Sequence, residues 1–184
     1  MKSLVLFAHG KESGPWGSKI KHLAAIAERH GAKVLSPDYA DLNNPDARIH
    51  RLLSMELLPH DQLIMVGSSM GGYVSTVASE KLQPSGLFLM APAFYIPGYT
   101  VQNPVSGAKR CCIVTGWRDD VIPVEHSIRF AQSQQAELHI LDGDHRLNDV
   151  LADVGTLFDR FLSHVLIPPA IADRLGENRV IETV

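Results

Sequence analysis

Cysteine is almost missing from this chain: of 184 residues only Cys111 and Cys112 carry a thiol. Adjacent cysteines cannot cross-link distant segments in ordinary disulfide geometry. Lying in an apolar run with no candidate base beside them, they read as small buried hydrophobes. Metal-ligand spacing is missing too. None of the nine histidines forms an H-x-x-x-H or H-E-x-x-H pair with further ligands, and there is no C-x-x-C, so neither a metal nor another cofactor is expected. The 17 lysines and arginines are scattered, with no basic run to meet phosphates, which argues against nucleic acid as a partner. No apolar stretch approaches the roughly 20 residues that cross a bilayer. Leu4 to Ala8 is too short for the apolar region of a signal peptide, so no membrane association is expected and the default location is cytoplasmic. Internal repeats and low-complexity tracts are also lacking.

What is present is ordinary for a water-soluble domain: 45% hydrophobic residues, 20% charged residues and a formal net charge of -3. The length suits one domain with a substantial core and leaves no room for a second. Six short apolar runs have strand length: Leu4 to Ala8, Lys33 to Ser36, Leu63 to Val66, Leu87 to Ala91, Cys111 to Thr115 and Leu138 to Leu141. Helix-period segments alternate with them. Ser18 stands as an N-cap before Ile20, Leu23, Ala24 and Ala27, and Gly31 supplies a stop. Asn43 to Pro45 opens a second helix with Ile49, Leu52, Leu53 and Leu57 on its apolar face. Val74, Val77, Ala78 and Leu82 mark a third helix, and Pro123 begins a fourth through Ile128 and Ala131. A long stripe from Leu147 through Leu151, Phe158 and Leu162 to Val165 marks the last. Strands and helices alternating at this spacing predict an α/β fold: a three-layer sandwich with a mainly parallel sheet of about six strands and helices on both faces.

Two segments break the alternation. Residues 92–110 hold Pro92, Pro97, Gly98, Pro104 and Gly107 with Phe94, Tyr95 and Tyr99 between them. This is an irregular connection that either lines a pocket or tucks its aromatics back. After Val165, Pro168 and Pro169 end the helix, dividing the chain into a domain over 1–166 and a C-terminal tail over 167–184. The terminal Glu182-Thr183-Val184 has the look of a peptide captured by strand addition, but a docked or frayed terminus is the simpler expectation.

Leu63 to Gly72 carries the chemistry. Its apolar run ends in Gly67-Ser68-Ser69-Met70-Gly71 and passes into a helical pattern, so G-x-S-x-G falls on a strand-turn-helix transition. There the serine hydroxyl is exposed above the sheet on a strained turn. The pattern alone is weak, and Ser69 in isolation reads equally as a turn residue or N-cap. A serine hydroxyl needs a base, and the base an orienting group. Asp119 follows the fifth strand, His145 follows the sixth, and His9-Gly10 closes the first, all at the carboxyl edge of the predicted sheet. Ligands of open α/β sheets bind at that edge, where successive connections leave toward opposite faces. With the first three strands ordered 2-1-3, the crevice falls between His9-Gly10 and Ser69. Asp120 stands as an alternative to Asp119. Asp142 and Asp144 are explained by turn formation, and His126 and His139 by surface or core positions.

The chain resembles the α/β-hydrolase family over nearly its whole length to Val165. The resemblance rests on His9-Gly10, the Gly67 to Gly71 elbow, Gly116-x-x-Asp119-x-x-x-Pro123 and His145, in the family's Ser, Asp, His order. It implies a minimal member without the leading antiparallel strands or a lid domain, with sheet order 2-1-3-4-5-6. It further implies Ser69 as nucleophile on a carboxyl-type carbonyl, His145 as general base and then acid, and Asp119, rather than Asp120, as the residue that holds the imidazole. The oxyanion hole would be the backbone N–H of Met70 and Lys11, with His9, Gly10, Gly67 and Gly71 in support. A serine esterase or thioesterase acting on a small molecule is the expected activity; a peptidase, or a hydrolase-fold binding protein with little turnover, are the alternatives. Oligomeric state is not indicated.

Overall fold

In the computed structural model, which describes residues 1–166, strands and helices alternate as the sequence predicts. The strands are β1 (Ser3–Ala8), β2 (Lys33–Leu35), β3 (Gln62–Ser68), β4 (Gly86–Met90), β5 (Cys111–Gly116) and β6 (Glu137–Leu141). The helices are α1 (Ser18–Arg29), α2 (Pro45–Ser54), α3 (Met70–Leu82), α4 (Val124–Gln134) and α5 (Leu151–Val165). One six-stranded sheet runs β2-β1-β3-β4-β5-β6, and every neighbouring pair is parallel. Among the described residues this is an α/β-hydrolase fold. The tail over 167–184, including Glu182-Thr183-Val184, lies outside the described residues.

Strand alternation divides the core in two. Val5, Phe7, Ile64, Val66, Phe88 and Val114 point to one face, where α1 and α5 cover them. Leu4, Leu6, Leu63, Met65, Leu87 and Ile113 point to the other, under α2, α3 and α4. Because both faces are dry, the central strands are near-continuous apolar runs instead of alternating ones. The chain reverses direction of winding at β1 and β3: α1 follows β1 onto one face and α3 follows β3 onto the other. The resulting crevice at their carboxyl ends brings together the loop after Ala8 and the turn at Ser69.

Strand ends and the start of α4 shift by a residue or two from the sequence reading, and three helix boundaries differ in ways that bear on packing and capping. The last helix begins at Leu151, not Leu147. Leu147 is fully buried, yet it sits in a turn at φ 56°, its N–H bonded to the Asp144 side chain at 2.9 Å. Its apolar character continues the helical stripe although its backbone does not. Gly17, not Ser18, occupies the N-cap of α1, and no side chain caps that end. The second helix stops at Ser54, leaving Leu57 in the following loop, packed against the core as a partly buried residue. Its N-cap is Asn44, whose side chain accepts from the N–H of Asp46 at 2.7 Å and of Ala47 at 3.3 Å.

Candidate active site

Ser69 joins β3 to α3 with φ 54° and ψ -120°, a conformation that costs a non-glycine residue roughly 1–3 kcal/mol. The fold imposes it on both sides. The Ser69 N–H donates to the Met90 carbonyl at 2.9 Å, and its own carbonyl accepts from Gly72 at 2.9 Å and Ala93 at 3.0 Å. Close backbone approach explains two glycines: a Cβ on Gly67 would overlap the Gly71 carbonyl, and one on Gly71 would overlap the Ala8 carbonyl. The turn is therefore wedged between its own helix and the end of β1.

Ser69, His145 and Asp119 form one hydrogen-bonded chain. His145 Nε2 lies 3.0 Å from Ser69 Oγ, and His145 Nδ1 lies 2.8 Å from Asp119 Oδ2. Asp119 is the acid the fold brings to the imidazole, whereas Asp120 is exposed. The Asp119 side chain is fully inaccessible to solvent. Burial on its own would raise its pKa, but hydrogen bonds from His145 and from the Ile122 and Val121 N–H groups prevail and hold it below the usual carboxylate value. An ionised carboxylate facing Nδ1 places the imidazole proton there, which leaves Nε2 free to accept from the serine hydroxyl.

The loop carrying His145 is fastened to the loop carrying Asp119. Trp117 N–H donates to the Leu141 carbonyl at 2.9 Å and Arg118 N–H to the Gly143 carbonyl at 3.0 Å. Gly116 is required for this approach, since a Cβ there would overlap the Gly143 carbonyl. Asp142 pairs with Arg118 at 3.3 Å, and Asp144 supports the Leu147 turn. Asp144 thus has the turn-forming task that its sequence position suggests, whereas the Asp142 side chain pairs with an exposed arginine. Of the remaining histidines, His139 lies on β6 beside Glu137 at 2.8 Å, and His126 is on α4 against the Tyr95 ring, both away from Ser69.

The loop after β1 lies directly against the serine: a Cβ on Gly10 would stand 3.5 Å from Ser69 Cβ. Its base is His9, wholly buried, with Nδ1 2.7 Å from the Gly10 carbonyl and Nε2 accepting the Tyr39 N–H at 2.9 Å. One nitrogen must donate and the other accept, so His9 is neutral with its proton on Nδ1. Burial depresses its pKa, which agrees with that state. The 3.7 Å approach of exposed Asp38 to Nε2 is accordingly not an ion pair. His9 packs beneath the loop and is not a base. Among the described residues neither the Lys11 N–H nor the Met70 N–H has a hydrogen-bond partner. Met70 N–H is the first of α3, where the helix dipole adds to its attraction for negative charge.

Sequence reading misses Arg48. This α2 residue is 1% exposed, and its guanidinium donates to the carbonyls of Leu42 at 2.7 Å, His9 at 3.0 Å and Gly10 at 3.3 Å. It ties the β1 loop down from beneath. A signal was available: Arg48 stands four residues before buried Leu52, on the same helix face.

A cavity of about 580 Å³ opens over Ser69, with Lys11, Lys19, Ile96, Tyr99, His145 and Arg146 in its walls. The 92–110 connection is fixed across α3 and α4: Phe94 stacks on Phe130 at 4.2 Å, and Val101 N–H donates to the Tyr73 hydroxyl at 3.0 Å. It tucks some aromatics back and gives Ile96 and Tyr99 to the cavity, combining both sequence alternatives. Away from the crevice, Cys112, Glu137 and His139 bring potential metal-ligand atoms within 4.8 Å of one another on β5 and β6. Glu137 is already paired with both His139 and Arg160. Burial pushes the Cys112 thiol far up, and the Cys111 thiol up to about 12. Among the described residues no helix is long and apolar enough to cross a membrane.

The model of an uncharacterised protein family, UPF0227, matches residues 4–101, just over half of the sequence. The chain belongs to this family. In this UPF0227 member the match takes in His9, Lys11, Arg48, Ser69 and Met70, and ends before Asp119 and His145. No curated protein matches the sequence. Among solved structures, a protein of the alpha/beta hydrolase superfamily from Xanthomonas campestris pv. campestris is 28% identical. It has a TM-score of 0.77, and the match covers 89% of this chain and 99% of that one. Est1E from Butyrivibrio proteoclasticus, solved with ferulic acid bound, is 16% identical with a TM-score of 0.75 over 89% of each chain. A serine hydrolase without lid from Xanthomonas campestris is 18% identical with a TM-score of 0.67, over 88% of this chain and 81% of that one. These neighbours place the UPF0227 chain in the α/β-hydrolase fold.

Proposed function

We propose that this protein is a serine hydrolase that cleaves carboxylic esters or thioesters of small molecules through an acyl-enzyme on Ser69, without a cofactor. The observation that carries the reading is the continuous hydrogen-bonded chain from Ser69 Oγ through His145 to buried Asp119, opening on a cavity. In the first half-reaction Ser69 Oγ attacks the carbonyl carbon as His145 Nε2 takes the hydroxyl proton. The carbonyl oxygen becomes an oxyanion within reach of the Met70 and Lys11 N–H groups. Collapse breaks the bond to the leaving oxygen or sulfur, which receives the proton from His145. Water then attacks the acyl-enzyme by the same path, releasing the acid and restoring Ser69.

The relatives add to this reading. Ferulic acid in Est1E is a small carboxylic acid, and the serine hydrolase from Xanthomonas campestris is described as lidless. A cavity of about 580 Å³ with no covering insertion among the described residues suits a compact acyl group better than a long lipid chain.

The test is turnover of a short-chain nitrophenyl ester by the wild-type protein and by Ser69→Ala. A loss of about 10³-fold or more in kcat is expected, because nucleophile and base act as a unit. A fluorophosphonate probe should label Ser69, and His145→Ala should block the labelling. Full activity in Ser69→Ala would refute the mechanism. A folded wild-type protein that neither turns over esters nor takes the label would point to a binding role.

A further inference from the structure

The lining of the cavity over Ser69 is chemically mixed. Met70, Ala93, Ile96, Tyr99 and Ile122 give it apolar surface. It also carries three cations, Lys11, Lys19 and Arg146, against one carboxylate, Glu12. That balance is opposite in sign to a protein whose formal net charge is -3. Among the described residues none of these three cations makes an ion pair. Some arginines elsewhere do pair: Arg51 with Asp41, Arg118 with Asp142, Arg160 with Glu137. Lys19 is only half-exposed, on the first turn of α1. Burial lowers its pKa to about 8, opposed by the nearby charges of Asp144 and Asp119 and reinforced by Arg146. Holding a cation partly out of water without a partner is unfavourable, and an incoming anion would offset that cost.

The position of these cations defines which half of a substrate they meet. Arg146 follows His145 in the chain, and Lys19 feels the charges of Asp119 and Asp144, which flank that histidine. The departing oxygen or sulfur receives its proton from His145, so the leaving group lies on the same side. We infer that the ester or thioester cleaved at Ser69 carries an anionic group, a carboxylate or a phosphate, on its leaving portion, and that Lys19 and Arg146 receive it. This rests on Ser69 being the nucleophile of a hydrolase. The apolar lining residues are then left for the acyl group.

Two butyrate esters with leaving groups of nearly equal size test the inference: 4-carboxyphenyl butyrate and its neutral counterpart, 4-carbamoylphenyl butyrate. At pH 7 and low salt the wild-type protein should favour the carboxylate by about tenfold or more in kcat/KM. In the Lys19→Gln/Arg146→Gln double variant the ratio should fall close to one. Because a ratio is read, a general loss of folded protein does not imitate the effect. In the wild-type protein the ratio should also shrink above pH 8, as Lys19 loses its proton.

Equal kcat/KM for the two esters in the wild-type protein would overturn the inference while leaving the hydrolase reading intact. So would a ratio unchanged in the double variant. An equal preference for an anion on the acyl side, measured with monophenyl adipate against phenyl hexanoate, would refute the assignment to the leaving portion. If neither ester is turned over and the fluorophosphonate probe does not label Ser69, the hydrolase reading fails and the inference falls with it. If neither is turned over but the probe labels Ser69, calorimetric titration of both esters into Ser69→Ala decides, with tighter binding of the carboxylate supporting the inference and equal affinity overturning it.

Discussion

At the scale of single residues, Ser69 is held where a side chain does not rest easily, and the reason lies in its neighbours. Its positive φ is set by backbone bonds to Met90 and Ala93 and by the two glycines that allow α3 to start against β1. Strain of this kind separates two substitutions that both remove the hydroxyl. Ser69→Ala keeps the strain, whereas Ser69→Gly relieves it because glycine occupies positive φ without a Cβ penalty. Urea denaturation should therefore find Ser69→Gly more stable than Ser69→Ala by about 1 kcal/mol, the strain relieved less the added backbone entropy of glycine. Both should be inactive in ester turnover. Equal stabilities would mean that the turn is not strained. Gly71→Ala goes the other way: its Cβ meets backbone of β1, which has no room to yield. It should destabilise by about 2 kcal/mol or more, read from the same denaturation.

At the scale of elements, the question is what keeps the β1 loop in register with the elbow. Arg48 answers it from α2, a helix with no catalytic candidate of its own. Its guanidinium bridges Leu42, His9 and Gly10 carbonyls inside the protein, so Arg48→Met would leave buried acceptors unpaired. At roughly 1–3 kcal/mol for a group left unsatisfied, the variant should lose about 3 kcal/mol in chemical denaturation. Where it stays folded, kcat should fall more than KM rises, because the proposed mechanism uses the Lys11 N–H as an oxyanion donor, and such a contact matters most in the transition state. A variant with wild-type stability and kcat would show that the loop holds itself.

The same helix shows where sequence stops being readable. Its apolar positions predict a helix correctly, but they do not say that an arginine beside them turns inward, since its partners are backbone carbonyls contributed by two distant loops. Leu147 is the converse case. Its side chain fits the helical stripe of α5, while its backbone belongs to the His145 turn, because periodicity reports burial and not dihedral angles. That Ser69, His145 and an acid after the fifth strand meet was legible because each sits at a strand end, whereas the choice of Asp119 over Asp120 came from the resemblance to the α/β-hydrolase family.

At the scale of the whole molecule, a parallel sheet of six strands follows from the alternation of short apolar runs and amphipathic helices joined by right-handed crossovers, whereas the 2-1-3-4-5-6 order was an implication of the resemblance to the α/β-hydrolase family. Lys19 was not legible in this way. Its importance comes from α1 starting beside the His145 loop, a meeting of segments far apart in the chain. The buried groups of the crevice also shape the stability of the entire fold toward acid. His9 is neutral in the native protein and its pKa is depressed by burial, so below about 6.5 the unfolded chain takes up a proton that the native one refuses. Its contribution is complete above that pH and is lost as pH falls toward the depressed native value. Asp119 acts in a second, lower window. Its native pKa is also depressed, so its stabilisation is present above about 3.9 and lost as pH falls further. Unfolding free energy measured by urea at successive pH values should therefore decline from about pH 6.5 downward, with His9 contributing at most about 1.4 kcal/mol per pH unit. His9→Gln, which keeps a neutral donor and acceptor at the same place, should flatten the upper window and leave the lower one, and Asp119→Asn should do the reverse. If wild-type and His9→Gln profiles run parallel between pH 7 and pH 5, His9 is not the neutral buried support that its hydrogen bonds to Gly10 and Tyr39 describe.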